Sequence, residues 1–377
     1  MAENKDKKVL NVPNLRFPEF EGEWQENYVN EICNEFKSGK AIKADLILDV
    51  GTYPVFGGNG LRGYTSTYNH DGLFVLIGRQ GALCGNVRSV IGKTYITEHA
   101  IAVNGNNKSD TNFLHYLFLQ MDLGRFSDQS AQPGLAVNKL LKLKVITPRI
   151  DEQRKIANLL RLLDERIATQ NKIIEKLESL IKGISNRLLY ADNSMSIRIE
   201  EMLIERSERT KKNNQYEILS STVNGIFSQR DYFSKDIASD NNVGYKIIHL
   251  HDIVLSPQNL WMGNINFNDK FDIGIVSPSY KVFSIADGFD KKYVAALLKT
   301  HHALYNYMLV SEQGASTVRR NLNYEAFEQL VFKIPSLNKQ QEIGHVISLL
   351  KSQLENANLL IKTYNSQKQY LLRQMFI

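Results

Sequence analysis

Three sets of residues are of the types that bind a phosphate or a metal, and none of them completes a site. Gly58-Asn59-Gly60-Leu61-Arg62-Gly63 fits GxGxxG, but a dinucleotide loop needs a helix directly behind it, with its N-terminus facing the pyrophosphate. YTSTY follows instead, a strand-like run, so these glycines read as turn formers. Gly92-Lys93-Thr94 ends like a P-loop, with Val87 where the first glycine should stand, which leaves no cradle for phosphates. His70, His99, His115, His249, His251, His301, His302 and His345 include no HExxH or other metal-ligand spacing. A Ser, His and Asp triad is recognised by geometry and cannot be argued from spacing. Carboxylates in EGE and DERI read as solvated faces. The sequence therefore offers no catalytic constellation and no metal set.

What it offers is side chains suited to phosphates and base edges. In the first half these are Lys40, Lys43, Asn59, Arg62, Tyr64, Arg79, Gln80, Gln132 and Asn138. In the second they are Arg209, Lys211, Asn224, Gln229, Arg230, Tyr232, Gln258, Asn259, Trp261, Arg319, Arg320 and Asn321. Arg, Gln and Asn can bond two atoms of one base and so fix its identity, whereas Lys contacts phosphate and sets affinity. Any one of them taken alone is equally well a solvated loop side chain.

The element that must position these loops is stated twice. PRIDEQRKIANLLRLLDERIATQNKIIEKLESLIKGISNRLLY, Pro148 to Tyr190, lies without a gap on PSLNKQQEIGHVISLLKSQLENANLLIKTYNSQKQYLLRQMFI, Pro335 to Ile377. Pro148 falls on Pro335, Gln153 on Gln340 and Ile156 on Ile343. The first copy carries a seam in alternating steps of four and three: Ile156, Leu160, Leu163, Ile167, Gln170, Ile174, Leu177, Ile181, Ile184 and Leu188. The second keeps the register with Ile343, Ile347, Leu350, Leu354, Ala357, Ile361, Tyr364, Lys368, Leu371 and Met375. Each helix would span about 55 Å at ~1.5 Å per residue. An apolar stripe of that length needs a cover, and the economical cover is the other copy. The alternative is two unrelated amphipathic helices, each packed on its own domain.

A chain of 377 residues has room for two to three domains. Cys33 and Cys84 form no disulfide framework, which suits a reducing cytoplasm, and no run is apolar enough to span a bilayer. A net charge of +6 permits a polyanionic partner without requiring one.

The expected organisation is a loose arm over 1–13, a first domain over 14–147, a long helix over 148–190, a second domain over 191–334 and a second long helix over 335–377. Trp24–Ile32 reads as a short helix, Asp45–Val103 as short strands and Phe113–Phe126 as a helix. The second half repeats the script. SIRIEEML answers the opening segment, HDIVLSPQNLWMGNI answers LFVLIGRQGALCGNV, KKYVAALLK answers TNFLHYLFL, and NLNYEAFEQLVFKIP answers AVNKLLKLKVITP. The fold class expected is α+β: two similar domains of short strands and helices, joined by two long helices pairing as an antiparallel coiled coil, the product of a tandem duplication.

With the repeat, the PxxxxQ entry to both helices and the GRQGALCGNV strand in hand, the chain resembles the specificity subunit of a type I restriction-modification system over essentially its whole length. PRIDEQRKIANLLRLLDERI is similar to the family's proline, apolar, Glu-Gln, Lys-Ile and Leu-Asp sequence. The second copy has Lys339 where the family commonly has Glu and Lys351 where it has Asp, which puts its contacts with a partner in doubt. The resemblance implies a non-catalytic reader of a bipartite, asymmetric double-stranded DNA target. It implies two methyltransferase subunits that hold S-adenosylmethionine and flip the target adenine, and two restriction (translocase-nuclease) subunits that use ATP and Mg. No cofactor is then expected in this chain. A two-headed protein-binding scaffold with a coiled-coil spacer is the other reading.

Overall fold

The computed structural model describes residues 10–128, 134–188, 195–232, 241–313 and 319–377. The chain forms two compact units, Met1–Asn171 with Leu359–Ile377, and Lys172–Asn358. Most of the arm expected over 1–13 lies outside the described residues.

The first unit opens with β1 (Gln25–Tyr28), one helical turn α1 (Val29–Ile32) and β2 (Cys33–Ser38). β3 (Tyr53–Gly57), β4 (Gly60–Thr65), β5 (Leu73–Gly78), β6 (Val87–Ile91), β7 (Tyr95–Ile96) and β8 (Ala100–Gly105) follow. α2 (Thr111–Gln120), α3 (Val137–Leu140), β9 (Lys144–Thr147) and the long α4 (Ile150–Leu188) complete its forward course.

Two expectations are corrected. Only Val29–Ile32 of the stretch expected as a helix is helical, because β1 pairs antiparallel with β9, Gln25 opposite Thr147; ladder bonds to a partner strand outweigh one more turn of a helix too short to hold itself. The helix expected over Phe113–Phe126 is α2 followed by a separate 3-10 turn, Leu123–Phe126, broken where Asp122 takes a left-handed φ of 48°.

β2, β8, β5 and β6 form, in that order, an antiparallel sheet. β5 and β8 are continuous apolar runs because both their faces are covered. Val75, Ile77, Ile101 and Val103 pack with Phe113, Leu114 and Leu117 of α2. Phe74, Leu76, Ala100 and Ala102 face the second sheet, β4-β3-β7, through Phe56 and Ile96.

The second unit opens in the same way and then adds elements of its own: β10 (Met195–Arg198), α5 (Ile199–Met202), β11 (Leu203–Arg206), β12 (Leu219–Thr222), β13 (Gly225–Ser228) and α6 (Gln229–Tyr232). β14 (Lys246–His249), β15 (Ile253–Leu255), β16 (Ile265–Phe267), β17 (Ile273–Val276), β18 (Lys281–Ile285), α7 (Lys291–Leu297) and α8 (His301–Leu309) come next. β19 (Ser311–Gln313), β20 (Arg320–Leu322), α9 (Tyr324–Glu328), β21 (Val331–Ile334) and α10 (Leu337–Gln374) end the chain. Its main sheet, β11-β18-β15-β16, has the strand order of the first, and β10 pairs with β21 as β1 does with β9.

Both long helices begin with the same lock. Gln153 donates to the carbonyl of Pro148 at 2.9 Å and accepts from the backbone N–H of Asp110 at 2.9 Å, the residue that caps α2. Gln340 donates to Pro335 at 2.9 Å and accepts from Asp290, the cap of α7, at 3.1 Å. Both glutamines are buried, so each bond satisfies a group that water cannot reach.

α4 gives its first part to the unit that holds the last part of α10, and its second part to the unit that holds the first part of α10. The two helices therefore run antiparallel. In the first unit Ile156, Leu160, Leu163, Leu371 and Met375 are buried, with Ile167 and Ile361 half-buried. In the second Ile343 and Ile347 are buried, with Ile174, Leu177, Ile181, Ile184, Leu350 and Leu354 half-buried. Leu188 has no described side chain. The apolar residues beside the seam, Leu162, Ile173, Leu180, Leu349 and Leu359, stay exposed. Fully burying a Leu or Ile is worth about 1.5–3 kcal/mol, so the buried seam residues are what hold each helix segment to its unit. Among the described residues no helix is long and apolar enough to cross a membrane.

Candidate nucleic-acid interface

In the first unit the surface is built on the β3–β4 hairpin. The GxGxxG stretch is its turn and returning strand: Gly57 pairs with Gly60, leaving Gly58 and Asn59 at the tip. Gly60 has a φ of +108°, which disfavours any other residue. A Cβ at Gly57 would lie 2.9 Å from Cδ of Arg62, and one at Gly60 would lie 3.0 Å from Nη1 of Arg88. The glycines thus make room for two arginine side chains, and Asn59 and Arg62 are exposed.

The tip rests on the end of β5. A Cβ at Gly58 would stand 2.7 Å from the carbonyl of His99, which accepts from the N–H of Arg79 at 2.9 Å. The carbonyl of Arg79 accepts from Leu135 at 2.9 Å, and Gln80 bridges to Gly134 and lies 3.1 Å from Nδ1 of His99. Asn59, Arg62, Arg79 and Gln80 are thereby brought together. Arg88 and His99 join them, although neither stood out in the sequence; Arg88 is exposed on the edge strand β6, whose VRSVI has no regular alternation to mark it.

Other expected residues are placed differently. Tyr64 is half-buried in β4, its backbone bonded to Leu48, and Lys40 is exposed beside Ile96, whose carbonyl takes its N–H. Lys43 caps a 3-10 turn and Asn138 is exposed on α3. Gln132 lies outside the described residues.

The second unit offers two groups. Asn224 is exposed at the β12–β13 turn, and Gln229 and Arg230 follow on α6 with Tyr232, whose ring stacks on Phe227 at 4.8 Å. The hairpin is braced from beneath by amides: Asn264 donates to Ser221 at 3.0 Å and Asn266 to the carbonyl of Thr222 at 2.6 Å. The alternation Asn264, Asn266, Asn268 in GNINFND was the sequence signal for this brace.

Beside it Trp261 stands in a 3-10 turn with the guanidinium of Arg320 4.5 Å above its ring, and the N–H of Arg320 donates to the carbonyl of Gln258 at 3.1 Å. Nε1 of Trp261 is buried and has no partner among the described residues. Lys299 links the two groups, donating to the carbonyls of Gly263 at 2.7 Å and Val223 at 3.3 Å. Burial, with Lys351 nearby, pulls its ammonium down to about 8. Asn259, half-buried, closes the turn through its carbonyl, which accepts from Met262 at 3.1 Å. Arg319 and Asn321 are exposed, and Arg209 donates to the carbonyl of Gly244 at 2.8 Å with Lys211 exposed beyond it.

These groups donate and accept hydrogen bonds through guanidinium, amide and indole, with an aromatic platform for stacking. Among the described residues no cluster of His, Cys, Asp and Glu could hold a metal. Burial pushes the Cys33 thiol up to about 12, and Cys84 is also raised by burial and by Asp128, so neither supplies a thiolate nucleophile near neutral pH.

Residues 21–179 match the family model of the type I restriction modification DNA specificity domain. The chain is 42% identical over 154 residues to the type I restriction enzyme EcoprrI specificity subunit of Escherichia coli, covering 40% of this chain and 38% of that protein. It is 27% identical over 147 residues to a putative type I restriction enzyme specificity subunit of Haemophilus influenzae, covering 38% of this chain and 37% of that one. The matched stretch thus spans well under half the length of both relatives. The fold is that of the S subunit of a type I restriction-modification system from M. genitalium, with a TM-score of 0.70 over 97% of this chain and 99% of that one at 16% identity. The likeness to the type I restriction modification DNA specificity domain is carried by residues 21–179, which run from just before β1 into α4.

Proposed function

We propose that this chain is the DNA-specificity subunit of a type I restriction-modification complex, acting in the cytoplasm. Each unit reads one half of a bipartite, asymmetric duplex target, and the antiparallel helix pair sets the interval between the halves. Arg62, Arg88 and Gln80 serve the first half-site; Arg320, Gln258 and Asn224 serve the second. A guanidinium or amide that bonds two atoms of one base edge discriminates by about 1–3 kcal/mol.

The observation that carries this reading is the pairing of like sheets with unlike loops. The same strand order supports both units, while the residues at their tips share almost nothing. A duplicated scaffold with diverged tips suits a target whose halves differ.

The chain then does no chemistry itself. The helix copies and the surfaces beside them receive two methyltransferase subunits, which bring S-adenosylmethionine and flip the adenine. Two restriction subunits bring ATP and Mg. Selection from random-sequence DNA by the chain with its methyltransferase partner tests this. Two enriched blocks at a fixed interval are expected, with binding that weakens as salt rises; absence of any enriched motif would favour a two-headed protein scaffold.

A further inference from the structure

The two units fill one equivalent position in opposite ways. In the first, the hydroxyl of Tyr116 on α2 donates to Asp164 on α4 at 2.9 Å, and Lys368 on α10 donates to the same carboxylate at 2.5 Å. The alignment of Pro148 with Pro335 carries Asp164 onto Lys351 and Ile181 onto Lys368. Aligning the helix caps Asp110 and Asp290 carries Tyr116 onto Ala296. The second unit has therefore lost a phenol ring and replaced a carboxylate by an ammonium. A cavity of about 290 Å³ stands there, walled by Ala296, Ile181, Ile347 and Leu354, with Lys351 and Lys182 on its lining.

Apolar cavities of roughly 150 Å³ already accept a benzene ring, so this one holds a ring and a polar substituent. Among the described residues neither Lys182 nor Lys351 closes an ion pair within 4 Å, although Asp269 and Glu355 act on Lys351 from a distance and Glu178 also lines the cavity. Lys299 and His301 add further cationic or protonatable groups to the wall. Ammonium groups beside an apolar wall favour an anion whose body is apolar.

We propose that this cavity is a binding site for a monocyclic aromatic acid, whose ring occupies the volume that Tyr116 fills in the first unit and whose carboxylate meets Lys351 and Lys182. The site does not depend on DNA recognition. The first unit keeps its tyrosine, so among the described residues its equivalent position is filled.

Calorimetric titration of the full chain with 4-hydroxybenzoate, and with benzyl alcohol as a neutral ring, tests the proposal. The acid is expected to bind with a Kd of about 1 mM or tighter, and Lys351→Ala to weaken it about tenfold while leaving benzyl alcohol unchanged. Ala296→Tyr restores the ring of the first unit and should abolish binding of both; Ala296→Leu, a smaller filling, should weaken both and serves where the tyrosine variant does not fold. No binding of the acid to the wild-type chain, or equal binding by a folded Ala296 variant, overturns the assignment.

Discussion

Asp164 and Lys368, far apart in sequence and on antiparallel helices, meet in a half-buried ion pair at 2.5 Å. The hydroxyl of Tyr116 closes the group, so the carboxylate binds α2 and α10 to α4 together. Asp164→Ala leaves the ammonium and the phenol without their acceptor. A loss of about 1–3 kcal/mol is expected, read as a lower midpoint in urea denaturation, with Asp164→Asn milder because its amide oxygen still accepts.

Gln153 and Gln340 make the same three-way joint between a strand end, a long helix and a capped helix. Gln153→Ala strands the N–H of Asp110 and the carbonyl of Pro148 in the interior, at a cost of about 2–3 kcal/mol. Gln340→Ala should cost a similar amount. The joints share no partner, so the double variant should lose close to both, checked by chemical denaturation of all three proteins.

This joint also marks how far the sequence could be read. The PxxxxQ pattern and the seam were legible because helix period and repeat impose them on every residue, and the shared order of elements followed from matching apolar runs, whereas the order of strands within the sheets did not. The β1 strand was not legible: Gln25–Tyr28 has no strand alternation of its own and is held by distant β9. The tip residues were legible by type but not by partnership. Arg62 lies against Gly57 and Arg88 against Gly60, positions open only because neither glycine has a side chain, and the fold alone sets Lys299 between the carbonyls of Gly263 and Val223.

His115 gives a pH signature. Burial, and Lys368 beside it, lower its imidazole from the ordinary 6.5 to about 4, against the pull of Asp164. Between those values the unfolded chain binds a proton that the folded chain refuses, so stability rises with pH there. The contribution is complete above about pH 6.5 and is lost as pH falls toward 4. Thermal melts at pH 7 and pH 5 should differ more for the wild type than for His115→Leu; equal differences would remove His115 from the account.

The proposed function assigns Arg62 and Arg320 to different halves of the target. With the methyltransferase partner present, Arg62→Ala should relax base preference in one half of the target and Arg320→Ala in the other, each by about 1–3 kcal/mol at one position. Lys40→Ala should instead weaken binding to all sequences about equally and lower the salt dependence. Random-sequence selection with each variant checks all three.

The division of labour between the units is tested most directly by mapping methylated adenines in DNA modified by the chain with its methyltransferase partner, before and after residues 14–147 are replaced by the corresponding domain of another specificity subunit. The account predicts a bipartite target in which one half changes while the other half and the interval between them stay as they were. A target that changes in both halves, or one that forms a single uninterrupted block, would contradict it.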